Sequence, residues 1–124
     1  MYTITKQFHF SASHRLRNLP KDHPCSRQHG HNYIVEVVLR SKDLRTEEMW
    51  VRDYGELKRI KKYIDENLDH RDLNEYFAEV YRDPPQTTAE MLAFHLYKTF
   101  ENDYPELYAI RVSETPKTWA QYND

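Results

Sequence analysis

Polar and apolar positions alternate with a period of two over two long stretches of the chain. Tyr2, Ile4, Phe8, Phe10, Ala12 and His14 share one parity, with Thr3, Thr5 and Gln7 on the other, which predicts a half-buried strand from Tyr2 to His14. The alternation returns from His29 to Arg40, where His29, His31, Tyr33, Val35, Val37 and Leu39 share a face and Asn32, Glu36 and Arg40 lie opposite. A connection from Lys42 to Asp53 follows, with Met49-Trp50-Val51 as a short extended piece.

The period then changes. Asp53-Tyr-Gly-Glu56 has the form of a capping box, and Tyr54, Leu57, Ile60, Ile64 and Leu68 follow at helical spacing, predicting a first amphipathic helix to about Asn67. Leu68 to Pro85 reads as irregular and ends in a Pro-Pro pair. Thr87-Thr-Ala-Glu90 reads as a second capping box, with Ala89, Leu92, Leu96 and Phe100 on one face of a second helix ending near Asn102. Tyr108, Ile110, Val112 and Glu114 mark a third strand, Pro116 breaks it, and Thr118 to Tyr122 form a short fourth. Strand, strand, helix, helix, strand, strand predicts an α+β fold: an antiparallel four-stranded sheet with two helices on one face. Such a sheet has two edges to hide, and self-association hides them.

The whole chain sets bounds on this picture. Its 124 residues predict one domain spanning 1–124, long enough for a core without a metal or disulfide staple. Any metal site is therefore not demanded by folding. Charged residues make up 31% and mean hydropathy is −0.97, so no window approaches a transmembrane span, and MYTITKQFHF lacks the form of a secretory signal. One cysteine cannot form an internal disulfide, which fits a reducing cytoplasm. A net charge of −2 with no basic run longer than two argues against a nucleic-acid surface.

Three histidines carry the candidate chemistry. Alternation projects His29 and His31 side by side from one face, with Gly30 facing the other way. If the first two strands pair antiparallel, His14 comes to lie opposite them. Three neutral imidazoles suit Zn²⁺ at about 2.0–2.1 Å and leave a fourth position open, as in a catalytic rather than a structural site. His9 and His95 read instead as ordinary surface or core residues.

Cys25 lies four residues before His29 in a polar loop, DHPCSRQ. It is either an inert small side chain, a further metal ligand, or a thiol whose proton is loosened by a nearby dication and Arg27. Asp69-His70 is either a carboxylate-oriented proton carrier or a histidine favoured by the end of the first helix. Glu114 continues the Tyr108-Ile110-Val112 parity. Either the strand has ended or a carboxylate faces an apolar pocket, where it needs N–H donors such as a flat heterocycle offers.

Together these pieces resemble the 6-pyruvoyltetrahydropterin synthase family, and more closely its bacterial 6-carboxy-5,6,7,8-tetrahydropterin synthase branch of queuosine biosynthesis. The resemblance rests on FSASHRL around His14, CSRQHGHNY from Cys25, VRDYGELK from Val51, LDHRDLN around His70, TTAE from Thr87 and VSET around Glu114. Cysteine, three residues, then HGH resembles the carboxy-pterin branch; the animal pyruvoyl enzymes place the cysteine further upstream. The resemblance implies zinc held by His14, His29 and His31, and Cys25 as proton acceptor with Asp69 and His70 as its relay. It implies Glu114 on the pterin's pyrimidine edge, with the Thr88–Glu90 turn contributed by a neighbouring subunit. The fold implied is the tunnelling fold, whose sheets join into a barrel, a homohexamer of two trimers with sites at subunit boundaries.

The reaction implied converts 7,8-dihydroneopterin triphosphate to 6-carboxytetrahydropterin, releasing acetaldehyde and triphosphate. Arg15, Arg27 and Lys117 are candidate triphosphate contacts. Ala89 departs from relatives that carry a second hydroxyl residue there, and the tail TPKTWAQYND transfers no contacts. Rival readings are a pyruvoyl synthase that eliminates triphosphate without cleaving the carbon chain, and a non-catalytic zinc or pterin-binding module.

Overall fold

A computed structural model describes all residues from Met1 to Asp124. Two 13-residue strands, β1 (Tyr2–His14) and β2 (His29–Ser41), form a long antiparallel ribbon whose bounds match the alternation. Strands β3 (Leu107–Ser113) and β4 (Ala120–Tyr122) complete a four-stranded antiparallel sheet in the order β1-β2-β3-β4, with one register slip at Val38/Leu39. The first-parity residues of the ribbon form its buried face: Phe8, Phe10, Ala12 and His14 on β1 and Tyr33, Val35, Val37 and Leu39 on β2. Tyr2, at the start of β1, lies half exposed.

Three helices cover that face rather than two. α1 (Lys58–Asn67) buries Ile60 and Ile64, and α3 (Ala89–Phe100) buries Leu92, Ala93, Leu96 and Phe100. Between them, in the stretch expected to be irregular, lies α2 (Leu73–Val80). Asp72 caps it by accepting from the amides of Asn74 and Glu75, while Leu73, Tyr76 and Phe77 enter the core. Eight residues are too few for a helix to stand alone, so packing carries this one.

The two helix starts also differ from the capping-box reading. Asp53 accepts from Gly55 N–H and opens a 3₁₀ turn, Tyr54–Leu57, ahead of α1. Glu56 does not reach back to the cap, because its carboxylate pairs with Arg45 and Arg52. At α3 the cap is Thr88, which accepts from Met91 N–H, one residue later than the box placed it. That leaves Thr87 and Glu90 for other partners. No helix is long and apolar enough to cross a membrane.

Candidate metal centre and its surroundings

The β1–β2 register sets His14 directly opposite His29, with Ala12 opposite His31. Partners directly opposite share a face, so the three imidazoles converge at the end of the buried face. Their ring centroids are 4.7, 4.9 and 5.2 Å apart, and one nitrogen from each lies within 4.8 Å of the others. The expected antiparallel pairing of these histidines is what the structure shows.

Neighbouring carbonyls orient two of the rings. His14 Nδ1–H donates to the Thr87 carbonyl at 2.8 Å, with the Thr87 hydroxyl at 3.1 Å. His29 Nδ1–H donates to the Arg27 carbonyl at 2.7 Å. Each Nε2 then keeps its lone pair for another partner, the arrangement that outer hydrogen bonds give metal-ligating histidines. Burial, the largest influence, pushes His14 and His31 below the usual imidazole pKa and keeps both neutral.

Only three buried side-chain polar atoms in the chain lack a partner: His14 Nε2, His31 Nε2 and the Tyr33 hydroxyl. Tyr33 stacks on Phe10, centroids 4.7 Å apart, and sets its ring edge against His14 and His31, so all three orphans belong to one cluster. Burial pushes the Tyr33 hydroxyl far above its ordinary pKa, so it remains protonated. Buried polar groups are nearly always paired, and a concentrated exception marks a place where something else binds. A divalent ion fits this donor set.

Glu114 lies just past the end of β3, so the strand has ended there, and its carboxylate comes 3.6 Å from His31 Nε2. With Ala89, Glu90, Val112, Thr118, Trp119 and Ala120 it lines a cleft of about 210 Å³. Glu90 and Glu114 of one chain thus line the same cleft. Thr88 is occupied as the helix cap.

Cys25 lies in a short 3₁₀ turn, Pro24–Ser26, half-buried, with its carbonyl accepting from Leu16 N–H at 2.8 Å. This turn is tied at one point to Leu16, two residues past β1, and through the following Arg27 carbonyl to the His29 ring. Asp69 and His70 stand elsewhere. Asp69 accepts from Ser11 N–H at 3.0 Å and from His70 Nδ1 at 2.9 Å, and these bonds, Ser11 first, hold its carboxyl below the usual range. His70 adopts a left-handed φ of 59°, and its N–H donates to the Ser11 carbonyl. It is not a cap on α1, because its amide and ring both turn to β1 and Asp69.

The His70 ring is 84% exposed and borders a cleft of about 410 Å³ with Ser11, Ser13, Gly30 and Asn32. Ala12, His31 and Arg71 complete its lining, and the cleft opens where Asp69 to Arg71 bond along the outer edge of β1. Neither Asp69 nor His70 bonds to Cys25 of the same chain. Arg15, Arg27 and Lys117 are exposed, and none forms an ion pair. His9 is exposed, and His95 is a satisfied core residue held by Tyr63 and Tyr81. Thr87 and the Tyr33 hydroxyl are the site residues that sequence reading missed. A Thr-Thr pair before a helix, where only one can cap, was the available signal for Thr87.

Residues 3–124 match the model of the family described as 6-pyruvoyl tetrahydropterin synthase. The chain belongs to that family. Its members are pterin synthases, and both products of the family occur among the names of its relatives. A 6-carboxy-5,6,7,8-tetrahydropterin synthase of Rickettsia bellii is 28% identical over 98% of this chain and 99% of its own length. One of Synechocystis is 32% identical over 98% and 93%. A 6-pyruvoyl tetrahydrobiopterin synthase of Drosophila melanogaster is 36% identical over 96% of this chain and 77% of that protein. The solved 6-pyruvoyl tetrahydropterin synthase of Caenorhabditis elegans superposes with a TM-score of 0.83 at 27% identity, covering 99% of this chain and 95% of that one. A three-histidine cluster that can hold a metal ion is consistent with membership.

Proposed function

We propose that the chain is a zinc-dependent 6-carboxy-5,6,7,8-tetrahydropterin synthase acting in queuosine and 7-deazaguanine biosynthesis in the cytoplasm. It takes 7,8-dihydroneopterin triphosphate and releases acetaldehyde and triphosphate. The observation that carries this reading is the convergence of unpartnered His14 and His31 nitrogens with His29, beside a carboxylate-lined cleft.

His14, His29 and His31 would hold the zinc ion, since three neutral imidazoles are a common catalytic set for it. When bound, zinc supplies Lewis acidity towards the oxygens of the substrate's side chain. Glu114 accepts from the N–H groups of the pterin's pyrimidine edge, and Glu90 lines the same cleft. The Cys25 thiolate removes a side-chain proton, and His70, oriented by Asp69, returns one as the carbon–carbon bond breaks in a retro-aldol sense. Because neither Asp69 nor His70 bonds to Cys25 of its own chain, the relay is assigned to a neighbouring copy, which favours a homohexamer with shared sites. Arg15, Arg27 and Lys117, all without ion-pair partners, take the triphosphate.

The 36% identity to the Drosophila protein supports a second reading, in which triphosphate is eliminated and the carbon chain stays whole. Incubation of zinc-loaded protein with 7,8-dihydroneopterin triphosphate separates the two by mass analysis of the pterin. Acetaldehyde with a carboxy-pterin supports the first reading; a pyruvoyl-pterin without acetaldehyde replaces it with the second.

A further inference from the structure

His23 caps the turn that carries Cys25. Its ring Nδ1 accepts the Cys25 amide hydrogen at 3.1 Å, and its carbonyl accepts from Ser26 N–H at 3.0 Å and from the Ser26 hydroxyl at 2.7 Å. A nitrogen that accepts carries no proton, so the proton of this neutral ring sits on Nε2. The Ser26 hydroxyl also reaches the Lys21 carbonyl, and the Leu16 amide fixes the Cys25 carbonyl. Both main-chain groups of Cys25 are therefore held from outside the turn. Two residues on, Arg27 holds the His29 ring through its carbonyl. One short clip thus ties the thiol-bearing residue to a residue of the histidine cluster.

Histidine is an unusual choice here, because Ser, Asp and Asn are the common caps. An Asp cap makes the same bond but sets a carboxylate beside the thiol, and a like charge disfavours the thiolate. Asp22, the one carboxylate of the clip, makes no hydrogen bond within it.

We propose that His23 is a positioning residue for Cys25: a neutral cap that fixes the thiol's main chain relative to the His29 end of the histidine cluster without adding negative charge. This rests on the reading of Cys25 as the proton acceptor. Three substitutions separate geometry from charge. In His23→Ala the cap is gone, and kcat is expected to fall by about fivefold to tenfold, the scale of a lost cap, with KM and zinc content unchanged. His23→Asn keeps a neutral acceptor and is expected to stay within about twofold of the wild type. His23→Asp restores the bond but not the rate, and slows alkylation of Cys25 by iodoacetamide at neutral pH by about threefold to tenfold. The chain has one cysteine, so labelling followed by mass reports that thiol alone, and in the metal-free protein it is independent of turnover.

Wild-type kcat in His23→Ala overturns the positioning role. Wild-type alkylation and rate in His23→Asp overturn the requirement for neutrality. Failure of the underlying reading looks different: Cys25→Ala would then retain turnover whatever stands at position 23.

Discussion

Thr87 holds His14 at Nδ1 with its carbonyl at 2.8 Å and its hydroxyl at 3.1 Å, in a pocket where both residues are almost fully buried. The segment leading into α3 therefore sets the tautomer of a strand residue far away in sequence. Thr87→Val keeps the shape and the carbonyl and removes the hydroxyl. Metal affinity, read by competition with a chromogenic chelator, is expected to weaken by up to about tenfold, with circular dichroism unchanged.

The metal should also stabilise the fold. An ion that binds only the folded state at about a thousand times its Kd adds about 4 kcal/mol, so zinc should raise Tm by about 15 °C in a chain of this size. His29→Ala should abolish the increment, and a chelator should reverse it in the wild type. Scanning calorimetry with and without zinc gives the answer.

Glu114→Gln keeps the size of the side chain and removes the charge facing His31 Nε2. Hydrogen bonds to charged groups contribute roughly 1.5–3 kcal/mol, so KM for the pterin substrate should rise by about tenfold or more. Direct titration with neopterin should weaken in parallel. An unchanged KM would place the pterin edge elsewhere.

Burial alone pushes His95 down to about 4 from the ordinary 6.5. Above pH 6.5 the folded and unfolded states are both neutral at this residue, and it carries no pH dependence. Between 6.5 and about 4 the unfolded chain takes up a proton that the folded one refuses, so stability falls as pH falls, by about 3 kcal/mol in all. Denaturant unfolding of wild type and His95→Gln at pH 7.5, 5.5 and 4.5 tests this. The variant should be weaker at pH 7.5, since Tyr63 and Tyr81 lose the ring, yet its stability should fall less steeply with acid.

Asp69→Asn retains an oxygen for Ser11 N–H but loses the negative charge that orients and supports His70. Turnover should drop by about a hundredfold, the low end of general acid–base contributions, while zinc content and Tm hold. Loss of metal in this variant would instead make Asp69 a support of the histidine cluster.

The ribbon was legible because β1 and β2 alternate without interruption, and their shared parity carried His14, His29 and His31 onto one side before any register was known. α2 was missed although Asp72, Leu73, Tyr76 and Phe77 stand at helical spacing. Its stretch is short and runs toward a Pro-Pro pair, and only contacts with distant strands make eight residues worth folding. The cap at α3 fell at Thr88 rather than Thr87 because two adjacent hydroxyls compete and packing decides between them, whereas Asp53 caps where expected but opens a 3₁₀ turn. The site of His70 was the least visible. A left-handed residue pinned to Ser11 by its own amide follows from a meeting of segments 58 positions apart, which no local pattern encodes.

That meeting leaves β1 with an uneven outer margin. Residues Asp69 to Arg71 already occupy the amides and carbonyl beside Ser11 and Ser13, while Thr3, Thr5, Gln7 and His9 keep outward main-chain groups without a mate. A foreign strand can therefore zip onto only the first part of β1, and must halt where the Asp69 turn begins. The chain thus carries a built-in stagger, a stop that sets how far any newcomer can slide along it.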